Sequence, residues 1–389
     1  MGRLRVGRPA LSSIVVLGAT GSIGAQTLEV ADHLGRAVAA LAAGSLSRDL
    51  IALAARYPSA RVAVANAPPG AIDPSLVKRV EFGADAVTAL AAIPGTTVVN
   101  GIVGASGLAS SLAALEAGNR LCLANKESLL TGGPLVMEAL TSMNGEMIPV
   151  DSEHSALWQC LIGEPADCVR RVILTASGGP FHARPDIDLA RVSVEDALAH
   201  PTWDMGSRIS IDSATLMNKA FEVIEAHFLF ALDYDQIEVV IHPKSFVHSL
   251  VEFTDGVVKA ELGPPDMRKP IQQAITAPER TASIAKPFDL IGTDLTFSAP
   301  DRERFPALDL GYAAGRRGGN GPAVLNAADE VAVAAFLERQ IGFTEIVEVV
   351  ADALGAVPEG PIPTLEAALA ADEAGREAAR ESIAGRVSR

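Results

Sequence analysis

The sequence predicts an α/β protein with an N-terminal domain built on a parallel sheet, a central α+β domain and a C-terminal helical bundle. Short apolar runs alternate with helical segments through the first third of the chain, which is typical of βαβ units. In the centre, a hairpin signal at 254–256 lies between two strand-like runs. From Ala323 onward the chain is rich in alanine, and Gly342 and Gly355 divide it into three or four expected scaffold helices.

The composition argues against several classes of function. The 389 residues suffice for two or three domains, and the net charge of −15 argues against nucleic acid or an anionic membrane as the main partner. No apolar run has the length of a membrane span or of a signal peptide core. Three cysteines without a paired motif suit a reducing compartment. We therefore expect a cytoplasmic protein with a short disordered start over residues 1–12.

The first βα unit carries a glycine-rich turn. A β-branched run at 13–17 precedes Gly18, Gly21 and Gly24, and a helical segment follows at 25–30. Strand, glycine-rich turn and helix form the context of a Rossmann-like dinucleotide site, because glycines let the backbone approach a pyrophosphate at the helix N-terminus. The alternative is a tight turn without a ligand.

The end of the second expected strand, at 37–41, indicates which dinucleotide is bound. An NAD site usually has an acid there for the ribose 2′-hydroxyl, whereas this chain has Gly44, Ser45, Ser47 and Arg48. Hydroxyls and a cation favour the 2′-phosphate of NADP. Arg48 could equally be a charge on a helix surface.

Further strands are expected at 61–64, 96–100 and 120–124. Asn125, Lys126 and Glu127 directly follow the last of them. Ligands of open α/β sheets bind beyond the carboxyl ends of the strands, so these three residues are candidates to face the nicotinamide and a substrate. The alternative is a solvated helix start.

Two acids follow another expected strand end at Val150. In an extended segment Asp151 and Glu153 would share one side, since strand side chains alternate. Hard carboxylate oxygens suit Mg²⁺ or Mn²⁺, and Glu222 offers a third ligand. The alternative is a solvated turn followed by a helix cap.

A helix expected over about 214–232, capped by Asp212 or Ser213, has an apolar back and a polar face. Asn218, Glu222 and Glu225 lie on that face with Lys219 beside them. Ser213, Asn218 and Lys219 are suitable phosphate ligands, and a Ser-Gly-Gly turn that begins at Ser177 offers an anion nest. An ordinary exposed face is the alternative.

The segment 200–208 is expected to be a flap. It places Trp203 and Met205 in a loop bounded by proline and glycine. Large apolar side chains in such a loop are expected to pack over something, such as a bound substrate. The alternative is that Trp203 folds back onto the core.

Eight motifs in this order and spacing resemble 1-deoxy-D-xylulose 5-phosphate reductoisomerases, over residues 13 to 385. The motifs are GATGSIG (18–24), LANKES (123–128), PVDSEHS (149–155), TASGGPF (175–181), HPTWDMG (200–206), DSATLMNK (212–219), PPDMR (264–268) and LNAADE (325–330). The resemblance implies NADPH- and divalent-metal-dependent conversion of 1-deoxy-D-xylulose 5-phosphate to 2-C-methyl-D-erythritol 4-phosphate for isoprenoid synthesis. It also implies a homodimer, and leaves open a retro-aldol and aldol sequence or a concerted shift.

The resemblance also implies a role for each matched site residue. The cofactor-binding residues would be Thr20, Gly21, Ser22, Ile23, Gly44, Ser45, Asn125, Glu127 and Gly206. The metal ligands would be Asp151, Glu153 and Glu222. The substrate-binding and catalytic residues would be Lys126, Ser152, Glu153, Ser177, His200, Trp203, Met205, Ser213, Asn218, Lys219 and Glu222. Family members often carry lysine or asparagine where Ser45 stands.

We expect a cofactor domain over 13–150, a catalytic and metal-binding domain over 151–276, a linker over 277–306 and a helical domain over 307–389. Two other functions are compatible with parts of this pattern. A plain NADP-dependent dehydrogenase would need no metal, and the three acids argue against it. A protein that only senses NADP would leave the polar helix face and the Ser-Gly-Gly turn without a role.

Overall fold

The computed structural model describes residues 12–66, 79–200 and 206–387. Its strands are β1 Ile14–Leu17, β2 Val38–Ala43, β3 Arg61–Val64, β4 Val80–Phe82, β5 Thr97–Asn100, β6 Arg120–Leu123, β7 Glu146–Pro149, β8 Val169–Ala176, β9 Ile237–Ile241, β10 Val247–Phe253 and β11 Val258–Leu262. Its helices are α1 Ser22–His33, α2 Arg48–Arg56, α3 Ala84–Ala91, α4 Leu108–Glu116, α5 Glu127–Ser142, α6 Ser152–Leu161, α7 Val194–Leu198, α8 Ser207–Thr215, α9 Met217–Phe230, α10 Arg268–Thr276, α11 Ala307–Arg317, α12 Gly321–Leu337, α13 Phe343–Ala356 and α14 Leu365–Val387.

The N-terminal sheet has the order β4-β3-β2-β1-β5-β6-β7, and all of its strand pairs are parallel. Its strands are short and almost wholly buried, because helices cover both faces of such a sheet. The strand order reverses at β1, between β2 and β5. The crevice at such a reversal is where doubly wound folds bind ligands, so the predicted Rossmann-like fold is confirmed and its switch point lies beside the glycine-rich turn.

Two glycines make this turn possible. Gly18 has a φ of +79°, and a Cβ on it would lie 2.5 Å from the carbonyl oxygen of Gly101, which follows β5. A Cβ on Gly24 would lie 2.3 Å from the carbonyl oxygen of Gly18. The turn therefore packs backbone against backbone, and it directs the first turn of α1 toward the carboxyl edge of the sheet.

The central sheet has the order β11-β10-β8-β9 and is mixed. β10 pairs antiparallel with β8 and β11, whereas β8 and β9 are parallel. This arrangement confirms the predicted α+β character. Beyond α10, residues 277–306 contain no helix or strand, apart from one bridge between Ser298 and Ile241.

The helix expected over about 214–232 is present from Met217 to Phe230, but its expected start and cap are wrong. The structure has two helices, α8 and α9, which meet at Leu216 in the left-handed conformation with a φ of +64°. Asp212 and Ser213 therefore lie inside α8 and do not cap the helix that carries Glu222. A left-handed leucine carries no signal in the sequence, because this conformation is disfavoured for any side chain with a Cβ.

The C-terminal bundle consists of α11 to α14, and α12 is enclosed by the other helices and by α5. Its core residues are mainly alanine, with valine and isoleucine next, as the alanine-rich sequence predicts. Within the described ranges, no helix is both long and apolar enough to cross a lipid bilayer.

Candidate active site

Three carboxylates converge beside the carboxyl edge of the first sheet. Asp151 directly precedes α6, Glu153 lies in its first turn, and Glu222 projects from α9. One carboxylate oxygen of each lies within 4.8 Å of the other two. The convergence is as predicted, but the expected extended segment is wrong, because β7 ends at Pro149 and a helix begins at Ser152.

Two lysines lie among these acids. Nζ of Lys126 is 3.0 Å from Oδ2 of Asp151 and 3.7 Å from Oε1 of Glu222, and it donates to Oδ1 of Asn218 at 2.5 Å. Nζ of Lys219 donates to Glu153 at 2.8 Å and also to Glu222. Positive charge is thus concentrated among the three acids, where a divalent ion would also be stabilised.

Burial sets the electrostatics of the cluster. Burial raises the pKa of Glu222, and the nearby carboxylate of Glu153 raises it further. Burial also opposes ionisation of Asp151, but the ammonium of Lys126 outweighs this effect and holds its pKa below the usual range. Burial would lower the pKa of Lys219, yet Glu153 and Glu222 keep it raised. These groups therefore depend on one another for their charges.

The polar face of α9 is not solvated. Lys219, Glu222 and Glu225 are all at least 97% buried, and only Asn218, His227 and Phe228 on this helix are partly exposed. An ordinary surface face would leave such charges in water, since unpaired burial is costly. The alternative of an exposed face is therefore wrong.

A second group of polar side chains follows β8. Oγ of Ser177 lies 2.9 Å from Nε2 of His200 and 3.4 Å from Oγ of Ser213, and that Nε2 lies 3.1 Å from Ser213. Gly178 and Gly179 both have positive φ, a conformation that favours glycine at these two positions of the turn. Burial lowers the pKa of His200, so the neutral ring is favoured. The hydroxyls and imidazole can all donate to one oxyanion.

The structure separates the expected phosphate ligands. Ser177, His200 and Ser213 are joined to one another, whereas Asn218 and Lys219 contact the acid cluster through Glu222. Ser152 also belongs to the acid cluster, because its hydroxyl donates to Glu153.

On the cofactor side, Thr20, Gly21 and Ser22 are exposed at the start of α1, with Ile23 partly buried behind them. The first backbone amides of a helix lack intrahelical acceptors, which suits them to phosphate binding. Gly44 and Ser45 are exposed after β2, while Ser47 caps α2 by accepting from the amide of Leu50. Arg48 is exposed.

Asn125 and Glu127 lie together at the end of β6, and both are buried. Nδ2 of Asn125 donates to Oε2 of Glu127 at 2.8 Å and to the carbonyl oxygens of Ile102 and Gly104. The amide of Gly104 donates to Oε1 of Glu127 at 3.1 Å. The alternative of a solvated helix start is therefore wrong for Glu127, which instead binds the loop after β5.

Trp203 and Met205 lie outside the described residues, so the expected flap stays a prediction. Gly206, which begins the next described range, is exposed at the N-terminus of α8.

Several buried partners were not predicted from the sequence. Nδ1 of His154 lies 3.6 Å from Oε2 of Glu225 and 3.9 Å from Oδ2 of Asp151, and its Nε2 lies 2.9 Å from the carbonyl oxygen of Glu222. The spacing of Glu225 three residues after Glu222 was the only sequence signal for this group. Arg208 and its partners on α12 had none, because they are more than a hundred residues apart.

Comparison with known proteins identifies the family. Residues 14–133 match the family profile described as 1-deoxy-D-xylulose 5-phosphate reductoisomerase. Residues 147–230 match the profile described as the 1-deoxy-D-xylulose 5-phosphate reductoisomerase C-terminal domain, and residues 262–378 match a further DXP reductoisomerase C-terminal domain.

Full-length relatives agree with these matches. A 1-deoxy-D-xylulose 5-phosphate reductoisomerase of Xanthomonas oryzae pv. oryzae (strain PXO99A) is 49% identical over 96% of this chain and 98% of its own length. One from Thermosynechococcus vestitus is 47% identical over 95% of this chain and 93% of its own length.

Solved structures extend the agreement to the fold. The reductoisomerase from Zymomonas mobilis in complex with NADPH is 39% identical, with a TM-score of 0.87 over 96% of this chain and 99% of that one. A DOX-P reductoisomerase in complex with NADPH, fosmidomycin and magnesium is 37% identical, with a TM-score of 0.86 over 96% and 98%. By sequence and by fold, the chain belongs to the 1-deoxy-D-xylulose 5-phosphate reductoisomerase family.

Proposed function

We propose that this protein catalyses the rearrangement and reduction of 1-deoxy-D-xylulose 5-phosphate to 2-C-methyl-D-erythritol 4-phosphate, with NADPH and a divalent metal ion. One observation carries the proposal: one buried and two partly buried carboxylates converge with two lysines beside the carboxyl edge of a dinucleotide-binding sheet. The product supplies the non-mevalonate route to isoprenoid precursors. The family membership and the NADPH- and magnesium-containing relatives support the same activity.

The metal ligands are Asp151, Glu153 and Glu222, and the ion is Mg²⁺ or Mn²⁺. Three hard oxygen donors suit these ions, whereas structural zinc sites use sulfur and nitrogen. The fit is supported by the convergence of the three carboxylates and by the positive charge that lysines already place among them. When bound, the ion supplies a Lewis acid for the carbonyl and hydroxyl oxygens of the substrate.

The substrate extends from this cluster toward the serines. Lys126, Ser152 and Glu153 hold its reacting end. Its phosphate lies with Ser177, Ser213 and His200. Asn218 and Lys219, at the start of α9, contact Glu222 in this structure and would exchange these contacts to bind the phosphate. Hydroxyls and an imidazole at this site can donate hydrogen bonds to the phosphate, so the site for the anion is built locally although the whole chain is acidic.

NADPH lies along the carboxyl edge of the first sheet. Thr20, Gly21, Ser22 and Ile23 bind its pyrophosphate, and Gly44 and Ser45 bind the adenosine ribose phosphate. Asn125, Glu127 and Gly206 lie at the nicotinamide end. NADPH is preferred over NADH because hydroxyls and Arg48, rather than an acid that binds a free 2′-hydroxyl, surround Gly44.

The division of labour follows the expected domains. Residues 13–150 bind the cofactor, 151–276 hold the metal and substrate, 277–306 link, and 307–389 form the helical domain. The substrate is a small phosphorylated sugar, and the compartment is the cytoplasm.

A homodimer is supported by two surfaces. β11 is an edge strand with β10 on one side only, and Val257 and Val258 there are about half exposed. Leu290, Ile291 and Phe297 are exposed in the segment after α10. An open edge and exposed apolar groups are features that a second copy of the chain would cover.

The experiment is NADPH oxidation with 1-deoxy-D-xylulose 5-phosphate, followed by absorbance. We expect consumption that requires both the sugar phosphate and Mg²⁺, stops on chelation and is much slower with NADH. Oxidation that is equally fast in EDTA would instead favour a plain dehydrogenase. Equal kcat/KM for NADH would refute the cofactor preference.

A further inference from the structure

Arg208, in the first turn of α8, lies at a junction of three parts of the chain. Its Nη1 donates to Oε1 of Glu127 at 3.0 Å and to Oε1 of Glu330 at 2.9 Å. Its Nη2 donates to Oδ1 of Asn326 at 2.8 Å and lies 3.5 Å from Asp329. The guanidinium therefore joins the start of α5 in the cofactor domain to α12 in the helical domain.

Through Glu127, Arg208 is connected to the loop after β5 at the carboxyl edge of the first sheet. Glu127 accepts from the amide of Gly104 and from Asn125, which in turn binds two carbonyl oxygens of the loop after β5. A Cβ on Gly104 would lie 3.3 Å from Oε1 of Glu330, so the same glutamate of α12 packs against this loop. The loop is thus held from the sheet side by Asn125 and from the helical side by Arg208 and Glu330.

On the helical side of the junction, Glu330 is held by a second arginine. Nη2 of Arg376, on α14, donates to Oε2 of Glu330 at 2.5 Å, and its Nε donates to Asp372 at 2.6 Å. Glu330 therefore shares its two oxygens between two arginines, which fixes the direction from which it faces Arg208. Charge-assisted hydrogen bonds to both oxygens restrain the orientation of the carboxylate.

The chemistry of the junction requires an arginine. Both terminal nitrogens of Arg208 are engaged by acceptors of the protein, so the group acts on its neighbours and not on a bound phosphate. Without its charge, Glu127 and Glu330 would face each other near Asp329, and like charges at partly buried positions repel. Lysine would keep the charge but lose the planar fork that reaches all of these acceptors.

We propose that Arg208 is a positioning residue for NADPH: through it, Asn326 and Glu330 of α12 fix Glu127 and the loop after β5 at the nicotinamide end of the cofactor site. The LNAADE segment of the helical domain would thereby help to position the cofactor site, in addition to its packing in the bundle. This inference rests on the proposed function, because it assigns Glu127 to the cofactor. Arg208 itself touches neither substrate nor metal.

The test compares NADPH affinity with metal affinity in the full chain. Arg208→Met keeps an unbranched side chain and removes the charge, and we expect NADPH to bind about tenfold more weakly, measured by calorimetry. Binding of Mn²⁺, followed by electron paramagnetic resonance, should stay within about twofold of the unsubstituted protein. Equal weakening of both ligands would indicate a general loosening of the fold and would overturn the inference. Arg208→Lys should recover part of the NADPH affinity.

Arg386→Met is the matched control. Arg386 is buried to a similar degree and binds Glu348 and Asp352, but it and these partners all lie in the helical domain, on α13 and α14. It should leave NADPH affinity unchanged. Glu330→Gln, a substitution on α12, should weaken NADPH binding as Arg208→Met does. In the double variant, the fold loss of NADPH affinity should be smaller than the product of the two single losses, because both substitutions remove the same contact.

The outcomes separate this inference from the proposed function. If the unsubstituted protein fails to bind NADPH, the proposed function is wrong. If it binds NADPH and Arg208→Met binds equally well, the inference is overturned. If Arg208→Met does not fold, Glu330→Gln decides: unchanged NADPH affinity in that variant overturns the inference, and a selective loss supports it.

Discussion

At the scale of single residues, Glu222 is a buried carboxylate whose charge depends on its neighbours. It is 99% buried and receives hydrogen bonds from both Asn218 and Lys219. Burial raises its pKa, so its charge depends on the cations around it. A carboxylate in such a position has no structural advantage over an apolar side chain of similar size, which points to a role in ligand binding.

Replacing Glu222 with glutamine should therefore separate metal chemistry from cofactor binding. The amide keeps the size and hydrogen-bonding capacity of the side chain but is a poor ligand for Mg²⁺. We expect turnover to fall by at least about a hundredfold, since loss of a group that only supports a ligand already costs ten- to a hundredfold. NADPH affinity, measured by calorimetry, should change little, because Glu222 lies away from the glycine-rich turn. A variant that keeps full turnover would contradict the assignment.

The glycine-rich turn supplies a second comparison between residues. A Cβ on Gly24 would lie 2.3 Å from a backbone oxygen, whereas one on Gly21 would meet only a contact at 3.4 Å. Gly24→Ala should therefore displace α1 from β1, lower thermal stability and abolish NADPH binding. Gly21→Ala should fold normally and lose less affinity. Calorimetry and a melting curve on both variants would check this, and equal behaviour of the two would contradict it.

At the scale of elements, the pair α8 and α9 shows what the sequence reveals and what it hides. The helical period predicted that Asn218, Lys219 and Glu222 lie together, because neighbouring side chains on a helix follow from local geometry. The break at Leu216 could not be predicted, since the left-handed conformation is disfavoured for leucine and nothing in the local sequence indicates it. The break lets Ser213 on α8 face Ser177 while Glu222 on α9 faces Asp151.

Asp212 of α8 and Asp329 of α12 form a buried pair of acids where the catalytic and helical domains meet. Burial raises the pKa of Asp329 well above its ordinary value, and the adjacent Asp212 raises it further. The folded protein then holds a proton at pH values where the unfolded chain has released it. The contribution of the pair to stability therefore falls as the pH rises from about 4 through its raised pKa.

Asp329→Asn should remove this dependence. Asparagine carries no titrating proton, and its amide can donate to Asp212 as the protonated acid does. The melting temperature of the variant should therefore rise relative to that of the unsubstituted protein as the pH increases from about 5 to 8, by about 2 °C or more. If the difference in melting temperature between the two proteins stays constant across this pH range, the pair does not share a proton.

At the scale of the whole molecule, the fold class could be predicted because it depends on short-range patterns, whereas the roles of the site residues were expected from the family resemblance. Strand, glycine turn and helix at 13–30 indicate a dinucleotide fold by themselves, and Asp151 and Glu153 are close in sequence. The junction at Arg208 could not be predicted. Its partners Glu127 and Glu330 are 81 and 122 residues away along the chain, and a single sequence contains no signal for such pairs.

The three-part architecture explains how a chain with a strong negative charge can bind two anionic ligands. Lys126, Lys219 and the hydroxyls of Ser177 and Ser213 lie where α6, α8 and α9 meet the first sheet, interleaved with the acids of the cluster. Local charge, not net charge, therefore decides what binds. The central claim is that the acids at this meeting point hold one divalent ion.

The most direct test of that claim is a count of bound Mn²⁺ by electron paramagnetic resonance, without substrate or turnover. We expect one ion per chain in the unsubstituted protein and an affinity at least about a hundredfold lower in Asp151→Asn. Arg386→Met, which alters a comparable arginine away from the site, should bind Mn²⁺ normally. No bound ion in the unsubstituted protein, or equal binding in Asp151→Asn, would contradict the account.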